Sequence, residues 1–380
     1  MEYTIIATAT FGIESITAME LKNLGYKELK VENGRVEFKG NERDIARCNL
    51  WLRTADRVHI KAAEYKAETF EELFQGARAV TWGKLIPENG KMHVTGKSVK
   101  SKLFSVPDCQ GIVKKAVVES MKSQYKKEWF PEDGPVYKIE VSLLKDVCTL
   151  LIDTSGAGLH KRGYRQSAGE APLKETLAAS MVLISRWRSE RILADPMCGS
   201  GTIAIEAAMI GKNIAPGINR SFVSEEWPGF DKVIWEDVRL EAQRAINSKE
   251  FRILASDVDG DVLKTARENA IRAGVEDYIA FQKLSVQQFQ SRKRYGCIIC
   301  NPPYGERLMD SEEVERLYKQ MGRVFTSLQD WSYFILTAHP EFERCFGRRS
   351  DKNRKLYNGR LQCYYYQYLG PLPPIKYTED

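Results

Sequence analysis

The chain has 380 residues, 43% hydrophobic and 28% charged, with a formal net charge of +6. That length exceeds one ordinary domain and calls for two or three with sizeable cores. No window approaches the roughly 18 apolar residues that a membrane span needs, and the start, MEYTIIATATFG, reads as a strand without the basic region of a signal peptide.

Residues 1–65 read as strand (Tyr3–Thr8), helix (Ile13–Leu24), two strands turning at Asn33–Gly34, helix (Glu42–Leu50) and strand (Arg57–Ala63). This β-α-β-β-α-β order is the ferredoxin-like unit. In the next segment Phe70, Leu73, Phe74 and Ala77 mark one helix face, and Cys109, Ile112, Val113, Ala116, Val117, Ser120 and Met121 keep a 3.6 period through a basic region. Tyr137, Ile139, Val141 and Leu143 alternate with polar residues, turn at Lys145–Asp146 and return through VCTLLID as a hairpin.

Thr154 to Pro172, TSGAGLHKRGYRQSAGEAP, is rich in Gly and Ser and reads as a linker whose cluster His160, Lys161, Arg162 and Arg165 is poised to touch a ligand. Beyond it come a helix (Leu173, Leu177, Met181, Ile184), the strand RILAD, a helix from Thr202, the strand FRILASD, a helix (Val262, Ala266, Ala270), the strand YGCIIC, a helix and the strand SYFILTAH. Apolar strands alternating with helices make a parallel sheet covered on both faces. The final RLQCYYYQYLG alternates and is expected to add an antiparallel edge strand.

Charge is unevenly spread. Lys91 to Lys127 holds nine Lys against two acids, and Arg344 to Arg360 seven basic residues against one, with Phe104, Tyr125, Phe346 and Tyr357 interleaved. Solvated basic faces explain this as simply as phosphate binding does. The eight cysteines lack a framework spacing and mostly sit in apolar runs, the habit of reduced thiols in cytoplasmic proteins. Cys297 and Cys300 have C-x-x-C spacing, but no second pair or His lies nearby and residues three apart on a strand face opposite ways, so no metal is expected.

Three strand ends carry unusual residues. ADPMCGSGT places Asp195 before a turn in which Gly199 and Gly201 permit close backbone approach, with Thr202 opening a helix; no Lys-Ser/Thr follows, which excludes a P-loop. ASDVDGD presents Asp257 and Asp259, and a carboxylate here suits the two hydroxyls of a ribose. Its distance from the glycine turn exceeds the usual interval of about 20 residues, because 211–250 intervenes; we expect that stretch to be an excursion over the site. In CIICNPPYGERL, Pro302 and Pro303 fix φ and remove two donors, so the strand must stop at Asn301. A strand followed by a proline turn accounts for this locally; so does a platform for a flat polar group, with Tyr304 as its aromatic face.

Together DPMCGSGT, the acidic end of the next strand and NPPYGER resemble class I S-adenosylmethionine-dependent methyltransferases that modify exocyclic amino nitrogens. GLHKRGYRQSAGEAPLKETLAASMV and APGINRSF…EEWPGF extend the resemblance over nearly the whole chain, to the THUMP-containing ribosomal RNA guanine-N2 methyltransferases. It implies a ferredoxin-like domain (1–65), a THUMP RNA-binding domain (66–158), and a linker with a Rossmann-like methyltransferase domain (159–380) on a mostly parallel seven-stranded sheet. It also implies S-adenosylmethionine as cofactor, S-adenosylhomocysteine as product, and large-subunit ribosomal RNA as partner in the cytoplasm, with the oligomeric state left open.

By the same resemblance Asn301, Pro302, Pro303 and Tyr304 are catalytic. Asp195, Pro196, Cys198, Gly199, Ser200, Gly201, Thr202, Asp257, Val258, Asp259 and Asn301 bind the cofactor, with Ser285 standing where many relatives have an Asp for the adenine amine. Ala171, Pro172 and Leu173 close over the cofactor, or else simply start a helix with proline. Lys97, Lys100, Lys102, Lys161, Arg162 and Arg165 are the RNA contacts expected from charge. Three other functions stay open: adenine-N6 methylation of DNA or RNA, glutamine methylation of a release factor, and a non-catalytic RNA-binding or assembly protein.

Overall fold

The computed structural model describes residues 1–165, 173–304 and 311–374, in two compact units. Ala171 and Pro172, and the GERL end of the proline motif, lie outside the described residues. One unit comprises Met1–Ala9, Leu21–Leu159 and Arg220–Leu240; the other comprises Thr10–Glu20, His160–Asn219 and the chain from Glu241 on.

In chain order the N-terminal elements are β1 (Tyr3–Ala9), α1 (Glu14–Asn23), β2 (Lys30–Glu32), β3 (Arg35–Gly40), α2 (Glu42–Trp51), β4 (Ala55–Lys66), α3 (Phe70–Arg78), β5 (Lys91–Val99), α4 (Val106–Tyr125), β6 (Val136–Leu144) and β7 (Val147–Asp153). Capping boxes start α2 at Asn41 and α3 at Thr69, each satisfying two backbone donors at the helix start. The strands form one sheet in the order β2-β3-β1-β4-β7-β6-β5, so β4, twelve residues long, pairs with β1 on one side and β7 on the other. The ferredoxin-like order is present, yet its sheet does not end at residue 65. Lys145 and Asp146 turn the β6–β7 hairpin with φ of 51° and 64°, the twist a two-residue hairpin prefers.

The excursion at 211–250 divides between the units. Residues 220–240 fold into the first unit: Trp227 stacks on Tyr137 with ring centroids 4.4 Å apart, and its indole N–H donates to the Val136 carbonyl at 3.0 Å. Ser224 donates from its hydroxyl to the Thr154 carbonyl at 2.8 Å. Its aromatics, Phe222, Trp227, Phe230 and Trp235, are all buried, and that apolar burial anchors the segment.

The remaining elements are α5 (Glu175–Ser185), β8 (Leu193–Asp195), α6 (Thr202–Gly211), α7 (Lys232–Arg244), β9 (Ile253–Asp257), α8 (Gly260–Arg272), β10 (Ile279–Lys283), β11 (Cys297–Cys300), α9 (Ser311–Thr326), β12 (Ser332–Thr337), α10 (Phe342–Phe346), β13 (Lys352–Asn358) and β14 (Leu361–Tyr368). Their sheet runs β10-β9-β8-β11-β12-β14-β13, with β8 to β12 parallel and β14 antiparallel to both neighbours. RLQCYYYQYLG is thus antiparallel but internal; the edge is β13, whose Lys352, Arg354 and Lys355 are the charges that keep a free edge from pairing further. A core of Ile298, Cys300, Tyr318, Phe325, Ile335 and Phe342 locks α9 and α10 to the sheet. Among the described residues no helix is long and apolar enough to cross a membrane.

Replacing Trp227 by Ala should cost about 3 kcal/mol in the first unit's unfolding free energy, read from urea denaturation, while affinity for S-adenosylhomocysteine stays at the wild-type value.

Candidate active site

The site forms where β8 has β9 on one side and β11 on the other. In a parallel sheet such a switch point leaves a crevice beyond the strands' C-terminal ends. After Asp195 the chain turns through Gly199 and Gly201, whose φ values of 51° and 83° lie in the left-handed region that glycine tolerates. At Gly201 an added Cβ would stand 3.1 Å from the Ala266 Cβ, so α6 and α8 approach closely only because the residue is glycine. The Gly199 amide donates to Asp257 Oδ2 at 2.9 Å, and the Asp259 amide donates to Asp257 Oδ1 at 3.1 Å. One carboxylate therefore joins the glycine turn to the end of β9 and keeps lone pairs on both oxygens for ribose hydroxyls.

Other expected cofactor residues have local duties too. Asp259 caps α8, accepting from the amides of Asp261 and Val262 at 2.8 and 3.4 Å. Val258 is 63% exposed, as a residue meant to pack on a planar ring would be. The Ser285 hydroxyl accepts from the Gln287 amide at 3.4 Å and from the Gln288 amide in a capping box, which leaves its O–H to donate. Ser200 and Thr202 have their hydroxyls 3.4 Å apart, and Cys198 is anchored through its amide to the Ser256 carbonyl.

The third strand end is held from behind. The hydroxyl of buried Tyr318, on α9, donates to the Pro303 carbonyl at 3.0 Å, so at its 2.8 Å contact with Thr337 it is the threonine that donates. With Pro303 bonded to Tyr318, the Asn301 side chain is the acceptor of the motif that stands out. Asn301 Oδ1 is buried without a hydrogen-bond partner among the described residues, an arrangement that costs free energy unless a ligand N–H completes it. The Tyr304 hydroxyl accepts from the Asn358 amide at 3.1 Å, and burial raises its pKa, so the ring stays a neutral phenol.

These features open onto one cavity of about 1700 Å³, larger than the roughly 300–1000 Å³ of a small-molecule pocket. Pro196, Met197, Gly199, Asp257, Val258 and Ser285 line one part, and Asn301 to Tyr304 another. Gln320 and Leu317 of α9 line it too without any local sequence signal, and only the position of Arg360 in a basic run hinted at the β13–β14 turn. Asp195 is wholly buried; desolvation pushes its carboxyl well above the ordinary carboxylate range, with Asp257 adding to the rise. Its Oδ2 has no hydrogen-bond partner among the described residues, which fits the cationic, amine-bearing end of S-adenosylmethionine. Cys297 and Cys300 are buried, the Cys297 thiol being pushed up to about 12 by burial.

Two expected RNA contacts are corrected. Arg162 is 4% exposed and its guanidinium makes two 3.4 Å bonds to the carboxylate of Glu206 on α6, which also accepts from the Tyr164 hydroxyl at 3.2 Å. Arg165, its side chain 10% exposed, donates to the Thr202 hydroxyl and the Leu173 carbonyl and lies 3.7 Å from Glu175. Both bind the linker to α6, because a cation in a desolvated place must be paired. Leu173 itself is buried, and Lys161 is exposed. Lys97 pairs with Glu140 at 2.7 Å yet stays 55% exposed, Lys100 takes a left-handed φ of 52°, and Lys102 pairs with Glu68 while its amide is fixed by Asp146.

Glu206→Ala, which strands the buried Arg162 charge, should lose about 3–5 kcal/mol of stability in urea unfolding, and the double change Arg162→Met with Glu206→Leu should regain most of it. Tyr318→Phe frees the Pro303 carbonyl and loosens the motif. Turnover should fall about tenfold, equivalent to about 1.4 kcal/mol, with S-adenosylhomocysteine affinity unchanged by calorimetry.

Three domain models match the chain: the RlmL ferredoxin-like domain over residues 4–59, the THUMP domain over 67–153, and the RMKL-like methyltransferase domain over 162–367. The chain is 51% identical over 383 residues to "Putative RNA methyltransferase YpsC" of Bacillus subtilis (strain 168), covering all of this chain and 99% of that one. Among solved structures, SMU.472, described as "a putative methyltransferase complexed with SAH", superposes with a TM-score of 0.93 at 47% identity over 98% of this chain and 99% of its own. A Listeria monocytogenes protein described as "a predicted N6-adenine-specific DNA methylase" gives 0.93 at 49% identity, over 98% and 97%.

Proposed function

Because the chain belongs to the RMKL-like methyltransferase family, as an S-adenosylmethionine-dependent RNA methyltransferase with RlmL-like domains, we propose that it methylates the exocyclic N2 of a guanosine in 23S ribosomal RNA. The observation that carries the reading is Asn301 Oδ1 at the strand end, buried without a hydrogen-bond partner among the described residues, with the Pro303 carbonyl already taken by Tyr318. Together with the adjoining Pro302 carbonyl it would offer two acceptors to the two N–H bonds of a primary amine on a ring.

An exocyclic amine gives its lone pair to the ring and is a poor nucleophile. Accepting both N–H bonds turns that lone pair out of conjugation and meets positive charge as it develops on nitrogen. When bound, the cofactor supplies an activated methyl group. The prolines keep the acceptors from yielding, and the neutral Tyr304 ring offers the base a stacking face worth roughly 1–3 kcal/mol. A paired base hides its amino edge, so the nucleotide must be everted or already unpaired, at a few kcal/mol. No strong base is required for the attack itself.

RNA rather than DNA is favoured by the THUMP match and by the name of the Bacillus relative; guanine N2 in the large subunit rests on the resemblance of DPMCGSGT, NPPYGER and the linker to the ribosomal RNA guanine-N2 methyltransferases. We assign the grip on RNA to residues 66–158, where Lys97, Lys100 and Lys102 neighbour Phe104, 82% exposed. Adenine-N6 methylation remains the second reading, because the Asn-Pro-Pro-Tyr motif and the name of the Listeria protein suit any exocyclic amine.

Incubation with radiolabelled methyl donor and unmodified ribosomal RNA, followed by nucleoside digestion, should place label in N2-methylguanosine. Label in N6-methyladenosine would favour the second reading, and label in protein or nowhere would refute both. Asn301→Ala should abolish transfer while S-adenosylhomocysteine affinity changes by less than about twofold, about 0.4 kcal/mol.

A further inference from the structure

The cavity is larger than a single cofactor requires, and charges of both signs line it: Asp257, Asp259 and Glu313 are acidic, Arg316 and Arg360 basic. Arg316 of α9 is paired with Glu312 at 3.3 Å. Arg360 has no ion pair or hydrogen bond among the described residues and is exposed.

The place of Arg360 follows from the hairpin that carries it. Asn358 pairs with Leu361, leaving Gly359 and Arg360 as a two-residue turn, and the φ of 63° at Gly359 puts positive φ at the first turn position, as a type II′ hairpin does. The register gives the turn two jobs on adjoining residues. Asn358 donates its amide to the Tyr304 hydroxyl, holding the aromatic face of the motif, and two residues on Arg360 lines the same cavity. The rest of the basic run is otherwise engaged or faces elsewhere. Arg344 pairs with Glu341 and Glu315, Arg348 lies over the rings of Tyr333 and Tyr368, and Arg354 donates to the Gly12 carbonyl and the Ser15 hydroxyl. Of the basic residues between Arg344 and Arg360, Arg360 alone lines the cavity among the described residues.

We propose that Arg360 grips a backbone phosphate of single-stranded nucleic acid beside the nucleotide whose base rests on Tyr304, and that the β13–β14 turn is the substrate-positioning clamp of this cavity. An everted base drags its flanking phosphates to the cavity mouth, where a planar, permanently charged fork on a short turn is suited to receive one. Because the turn also holds Tyr304, seating the phosphate and seating the base are mechanically the same event. This rests on the nucleic-acid reading above but does not depend on which base is methylated.

The test compares Arg360→Ala, Arg360→Lys and Arg349→Ala, the last removing an exposed charge of the same run that does not line the cavity. The probe for binding is a fluorescent mixed-sequence single-stranded RNA, titrated by anisotropy at several salt concentrations. Arg360→Ala should weaken RNA binding by about three- to tenfold and lower the slope of log affinity against log salt by about 0.7, the value for one phosphate contact on a single strand. Arg360→Lys should restore the slope, Arg349→Ala should change neither quantity, and S-adenosylhomocysteine affinity should be equal in all four proteins. Equal effects of Arg349→Ala and Arg360→Ala, an unchanged slope in Arg360→Ala, or a matching loss of S-adenosylhomocysteine affinity would each overturn the clamp. Failure of the wild type to methylate ribosomal RNA counts against the proposed function instead, and leaves the binding comparison to decide the clamp.

Discussion

A strand of three residues organises the catalytic half of this protein. β8, Leu193–Asp195, is wholly buried and has a parallel neighbour on each side, β9 and β11. Three chain segments must therefore leave the sheet side by side at one end, and their backbone groups need partners there that no further strand supplies. The molecule answers with side chains: Asp257 takes the amides of Gly199 and Asp259, and Tyr318 takes the carbonyl of Pro303. What these bonds leave without a partner among the described residues, Asp195 Oδ2 and Asn301 Oδ1, lies at the ends of two adjacent strands. Binding capacity here is the remainder of a nearly complete hydrogen-bond account.

The support is graded by distance from the chemistry. Asn301 to Tyr304 face the cavity; behind them Tyr318, Thr337 and Asn358 fix a carbonyl or a hydroxyl each. Further out, the Arg162–Glu206 pair ties the linker to α6, the helix that begins at the glycine turn. None of these outer residues has special chemistry of its own. Their contribution is to remove freedom from the few that do, which is where the precision of a methyl transfer between two bound molecules comes from.

Much of this was legible in the sequence because it is local. A strand ending in Asn-Pro-Pro, an acid at the end of another, and two glycines in a turn are statements about adjoining residues, and each stands where its spacing put it. β5 and β10 were missed because KMHVTGKSV and IAFQK neither alternate cleanly nor form an apolar run; their parallel partners β6 and β9 make them strands. β13 was hidden by its charge, which signals phosphate binding and a protected edge equally well. Arg162 and Arg165 were misread for a related reason. Whether a cation faces solvent or Glu206 is decided by a helix more than 40 residues away, and charge density along the chain carries no information about that.

The continuous N-terminal sheet sets the size of the smallest piece of this half that can exist alone. β4 shares its two long edges between β1 and β7, so the ferredoxin-like and THUMP portions are halves of one cooperative block rather than beads on a string. Severing the chain after Lys66 would strip β7 from β4 and leave the β7-facing amides and carbonyls of His59 to Lys66 unpaired, the kind of surface on which chains aggregate. Evolution can exchange such a block whole, but neither half of it alone.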